Sequence, residues 1–81
     1  MNPEEAKARA KALLAVIEAS YAIRIVNLDG VIGAITDETH DEEKILAICT
    51  AVNTWVAINA PPSGEVEIPL DTLQSLVERI I

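Results

Sequence analysis

The side chains able to do chemistry gather in one stretch. His40, the only histidine, lies among Asp37, Glu38, Asp41, Glu42 and Glu43, five acids in seven positions. An imidazole so placed could exchange protons near neutral pH or join carboxylates around a divalent cation. Asp37, Thr39 and Asp41 match positions 1, 3 and 5 of a calcium loop. Position 6 is Glu42 where the turn needs glycine, and position 12 is Ile48 where a bidentate glutamate belongs. The run therefore reads as a solvated helix start whose acids complement the positive end of the helix dipole. No metal and no cofactor is expected.

Nucleophilic catalysis fares no better. Cys49, the one cysteine, sits in an apolar stretch more than two helical turns from His40, so the two cannot meet as nucleophile and base on one helix. It is expected in the core as a small hydrophobe. Gly30 and Gly33 stand outside any dinucleotide, phosphate-loop or zinc spacing. With Trp55 the only tryptophan, Tyr21 the only tyrosine and no phenylalanine, nothing forms a stacking platform for single strands or sugars. No catalytic residue is assigned, and the chain is not expected to be an enzyme.

Composition bounds the rest. Eighty-one residues make a single domain, 1–81. A hydrophobic content of 51% and a mean hydropathy of +0.30 exclude a disordered acidic tail. Six bases against thirteen acids leave a formal net charge of −7, which disfavours binding to nucleic-acid phosphates. No membrane partner is expected, because Arg24, Asn27 and Asp29 interrupt the longest apolar window. The unpaired Cys49 and an acidic N-terminus, Asn2-Pro3-Glu4-Glu5, without an export signal point to a soluble, cytoplasmic protein.

The elements that must position these residues can be read in order. Asn2 caps a helix that opens at Pro3 and runs to about 20, with Glu5 paired to Arg9 and a buried stripe of Ala10, Leu13, Leu14, Ile17 and Tyr21. Strands at 21–28 and 31–36 flank Asp29-Gly30, the dipeptide of a tight hairpin. A competing reading continues the first helix to about 27 and makes Asp29 a cap. Thr39-His40-Asp41-Glu42 forms a capping box for a helix ending by Asn59, with Ile45, Ile48, Cys49, Val52, Trp55 and Val56 on its buried side. Pro61-Pro62-Ser63-Gly64 is a loop, 65–68 a short strand, and Asp71 with Gln74 caps a last helix to about 81. The expected class is α+β in the order α-β-β-α-β-α; the alternative is an all-α bundle of three or four helices. No internal repeat is evident.

Surplus apolar surface supplies the functional expectation. The chain carries twenty-five Ile, Leu and Val and finishes at Ile80-Ile81. Leu70, Leu73, Val77 and Ile80, with Leu76 beside them, follow the spacing of a helix seam. These residues, Ile81 and Trp55 are expected to form the interface of a homodimer or higher oligomer, a small acidic protein-interaction module. Compact, aromatic-poor domains of this kind occur among accessory proteins of phages and mobile elements, an association with no residue behind it. Two alternatives stand beside it. One is a ligand-binding or ligand-sequestering protein with an interfacial pocket and contacts from Tyr21, Arg24 and Asn27. The other is an inhibitor of a basic, nucleic-acid-binding protein, using Asp37, Glu38, Asp41, Glu42 and Glu43.

Overall fold

A computed structural model describes all 81 residues. Helix α1 spans Pro3–Tyr21, strand β1 Arg24–Ile25, α2 Leu28–Glu38, α3 Glu42–Asn59, β2 Glu65–Val66 and α4 Leu70–Ile80. The chain is thus mostly helical, with one two-stranded parallel sheet pairing Arg24 with Glu65 and Ile25 with Val66. The bundle alternative has the helices without the strands; the hairpin order has strands at 21–28 and 65–68, where the two-residue β1 and β2 lie, but wrongly makes 31–36 a strand and pairs it with the first.

The hairpin is overturned by the segment after Asp29. Leu28, Val31, Ile32 and Ile35 recur at helical spacing, and Val31, Ile32, Ile35 and Thr36 are buried along one side of α2. Burial of that side outweighs the modest strand preference of its β-branched residues. Asp29 falls in the first turn, where a carboxylate suits the dipole, and Gly30 lacks the positive φ that a type I′ turn demands. Nor does α1 reach 27. It ends at Ala22, whose left-handed φ of 54° turns the chain into β1.

Two caps also shift. Asp41, not Thr39, caps α3, its carboxylate accepting from the amides of Glu43 and Lys44, while the Thr39 hydroxyl accepts from the amide of Asp41 just before the helix. Helix α4 begins after Pro69 without a side-chain cap, and Asp71 accepts only from its neighbour Thr72. Asn2 caps α1 as expected, accepting from the amide of Glu5 at 2.8 Å and donating back to its carboxylate. Arg9 pairs with Glu42 across helices at 2.9 Å rather than with Glu5.

The element order repeats. α1, β1 and α2 are 19, 2 and 11 residues long; α3, β2 and α4 are 18, 2 and 11. Buried positions correspond between halves: Ala6 with Ile45, Ala10 with Cys49, Ile17 with Val56, Ile25 with Val66, Val31 with Leu73 and Ile35 with Val77. Leu28-Asp29 and Leu70-Asp71 open the second helix of each half. A parallel strand pair is what a two-fold axis along the strands requires of two like halves. The halves resemble each other in element order and in these buried positions, with little residue identity, so the likeness does not show as a repeat in the sequence.

Eighteen apolar residues form one core, to which all four helices contribute, with α1 packed most extensively on α3. The chain exposes 4885 Å², against about 4,700 Å² expected for a self-contained monomer of 8.7 kDa. The core closes without a partner.

Candidate functional site

The junction between halves is built from three small devices. The Arg24 amide donates to the Gly64 carbonyl and the Val26 amide to the Val66 carbonyl, continuing the parallel ladder. Asn27 then replaces a strand residue with its side chain: its Nδ2 donates to the Ile68 carbonyl at 2.9 Å, and its Oδ1 accepts from the Ile68 amide at 3.0 Å. Gly64, with φ +78°, lies so close to Ala22 that a Cβ would stand 2.9 Å from the Ala22 carbonyl oxygen. These contacts set α2 and α4 off side by side from adjoining starts. Arg24 pairs with Glu65 at 2.6 Å.

The three residues proposed as ligand contacts are consequently not gathered around one cavity. Asn27 is half-buried and committed to Ile68, Arg24 to Glu65, and both border a recess of about 320 Å³ between α1, β1 and the start of α2. Tyr21 is 66% exposed and borders a different recess, between α1 and α3.

The expected seam divides. Leu73 and Val77 are 2% and 6% exposed and face the chain's own core; Leu76, Ile80 and Trp55 are half-buried against it. Only Leu70 and Ile81 are exposed, at 64% and 52%. With Ala34 of α2 they wall a groove of about 400 Å³ whose floor is Leu73 and Val77. Asp37 and Glu38 from α2 and Glu78 from α4 border it. The acidic run is split by the fold. Asp37 and Glu38 end α2 at this groove, whereas Asp41, Glu42 and Glu43 start α3, where Asp41 is a cap and Glu42 holds Arg9.

The outer side of α3 is the face that sequence reasoning passed over. Leu46, Thr50, Thr54 and Ile58 follow one another at four-residue intervals along it, all exposed, with Ala57 and Tyr21 adjoining. The Thr50 hydroxyl donates to the Leu46 carbonyl and the Thr54 hydroxyl to the Thr50 carbonyl, so each threonine spends its polar atom on its own helix and offers its methyl outward. No charged residue occurs from Ile45 to Gly64, and that twenty-residue gap was the available signal. Beneath this face Asn53 donates to the Leu13 carbonyl of α1, and its buried Oδ1 finds no partner.

Cys49 is fully buried, and desolvation pushes its thiol up to about 11, far from the thiolate a nucleophile needs. No three His, Cys, Asp or Glu side chains stand close enough to hold a metal ion, and no helix is long and apolar enough to cross a membrane. Compared with family models, with curated proteins and with solved structures, the chain matches none, so its reading rests on its own surface.

Proposed function

We propose that this chain is a small, acidic, non-catalytic interaction module of the cytoplasm that works as a homodimer, two copies meeting across the outer face of α3. One observation carries the reading: on a chain of net charge −7, the exposed stripe of Leu46, Thr50, Thr54 and Ile58 lies in a segment free of charge. Two copies approaching by the side of α2 and α4 would bring Asp37, Glu38 and Glu78 together. Here they meet without that repulsion, and a stripe of leucine, isoleucine and threonine methyls gains by leaving water. Small residues let two helices come close, and a two-fold contact makes one such stripe serve both partners. The buried, protonated thiol of Cys49 favours a role without covalent chemistry.

Sedimentation velocity over a range of concentrations tests it. The wild-type chain is expected to shift reversibly from monomer to dimer, and Ile58→Glu or Thr54→Glu to stay monomeric with unchanged helical circular dichroism. A wild-type monomer at millimolar concentration, or a dimer indifferent to both substitutions, would remove the reading.

A further inference from the structure

The groove between α2 and α4 is a second surface, independent of the α3 stripe, and its chemistry is different. Its floor and walls are apolar: Leu73 and Val77 below, Leu70, Ile81 and Ala34 at the sides. The charges that line it, Asp37, Glu38 and Glu78, are all negative. Arg79, the one base on α4, does not line the groove. Asp37 and Glu38 also occupy the last turn of α2, which contains no base, so two carboxylates sit at the end of the helix where the dipole is already negative. Such a placement disfavours the helix unless cations approach.

We propose that this groove seats a basic amphipathic segment of a partner protein, an apolar side chain lying over Leu73 and Val77 and Lys or Arg side chains meeting Asp37, Glu38 and Glu78. The charge pattern selects among occupants. A second copy of this chain would place six of these carboxylates around one contact, whereas a basic segment neutralises three of them and relieves the end of α2. Apolar contact supplies affinity and the acidic border supplies orientation and selectivity.

The probe is a synthetic helical peptide of about fourteen residues with leucines at helical spacing and lysines elsewhere, titrated into 15N-labelled protein at physiological salt. Amide shifts are expected to concentrate in the second half of α2 and along α4. The double variant Glu38→Lys/Glu78→Lys is expected to bind about tenfold more weakly, because each reversal removes an attraction to the lysines of the peptide and puts a repulsion in its place. Glu18→Lys/Glu67→Lys changes net charge equally at two exposed positions outside the groove and is expected to leave affinity within about twofold. A peptide with serine in place of leucine is expected to lose the localised shifts.

Equal loss in both double variants would mean attraction by net charge alone and would overturn the proposal. So would shifts spread over the whole chain, or none in the groove at millimolar peptide. Groove shifts that grow with protein concentration in the absence of peptide would assign it to a second copy instead. The peptide outcomes leave the α3 stripe untouched, since its test is whether Ile58→Glu or Thr54→Glu abolishes the dimer.

Discussion

Substituting Gly64 with alanine isolates the contact that joins the two halves. An L residue held in the left-handed region costs roughly 1–2 kcal/mol, and Gly64 has φ +78°. The added Cβ would also stand 2.9 Å from the Ala22 carbonyl oxygen, a backbone atom that cannot swing aside as a side-chain tip would. Relieving that overlap moves β1 from β2 and costs about 1–3 kcal/mol more. The sum, about 2–5 kcal/mol, lowers Tm by roughly 10–40 °C in a domain of this size. Gly30→Ala and Gly33→Ala are the internal controls. Each lies in α2 with nothing within 4 Å of where the new methyl group would stand, so each is expected to stabilise the helix by about 0.5–1 kcal/mol. Urea denaturation of the three variants, followed by far-ultraviolet circular dichroism, gives all three values. A Gly64→Ala protein within about 0.5 kcal/mol of wild type would refute the reasoning, as would a reversed order among the three.

Asn27→Leu is expected to destabilise by about 2–3 kcal/mol, because both polar groups of Ile68 lose their partner in a half-buried place; the same denaturation measures it. Leu73→Ala is expected to cost about 2–4 kcal/mol and Leu70→Ala well under 1, since one fills the core and the other only walls the groove; equal losses would count against the division of the seam. Ala22→Gly is expected to add about 0.5–1 kcal/mol by releasing the strain of φ 54°. Burial raises the Cys49 thiol from 9.0 to about 11, so the unfolded chain ionises it first. Its contribution is therefore complete below about pH 9 and lost as pH rises through about 11, at about 1.4 kcal/mol per unit of pKa difference. The gap in stability between wild type and Cys49→Ala should narrow over that range; a constant gap would show that the thiol is not shifted.

Helices α1 and α3 were legible because local signals agreed: Asn2 and Pro3 at one start, acids at both, and apolar residues at helical spacing. Segment 21–36 was not, because its local signals conflicted. Asp29-Gly30 and a run of β-branched residues spoke for strands, and only packing against α1 and α4 decides for a helix. The strand pair escaped for another reason. Each strand is two residues long, and the partners are forty-one positions apart, so no window of sequence contains the pairing. The sites followed the same rule. The α3 stripe is local and visible as a gap in charge, whereas the groove needs α2 in place before Asp37, Glu38 and Glu78 can be seen to share a border. Leu73 and Val77 carried a genuine seam pattern, but spacing alone does not say whose core a seam enters.

The duplicated order has a consequence for how such a chain could arise and be rearranged. Each α-β-α half has about forty residues, near the size below which a polypeptide rarely folds unaided. A half therefore needs its counterpart, but nothing in the contacts requires that counterpart to be on the same chain. Only residues 39–41 connect α2 to α3. If that connection opened, the second half of one molecule could dock on the first half of another and rebuild every contact between them, giving an exchanged pair with the same interior. By the same argument, a peptide corresponding to a single half, with its sequence averaged between the two, is a candidate for assembling with a copy of itself into the whole fold.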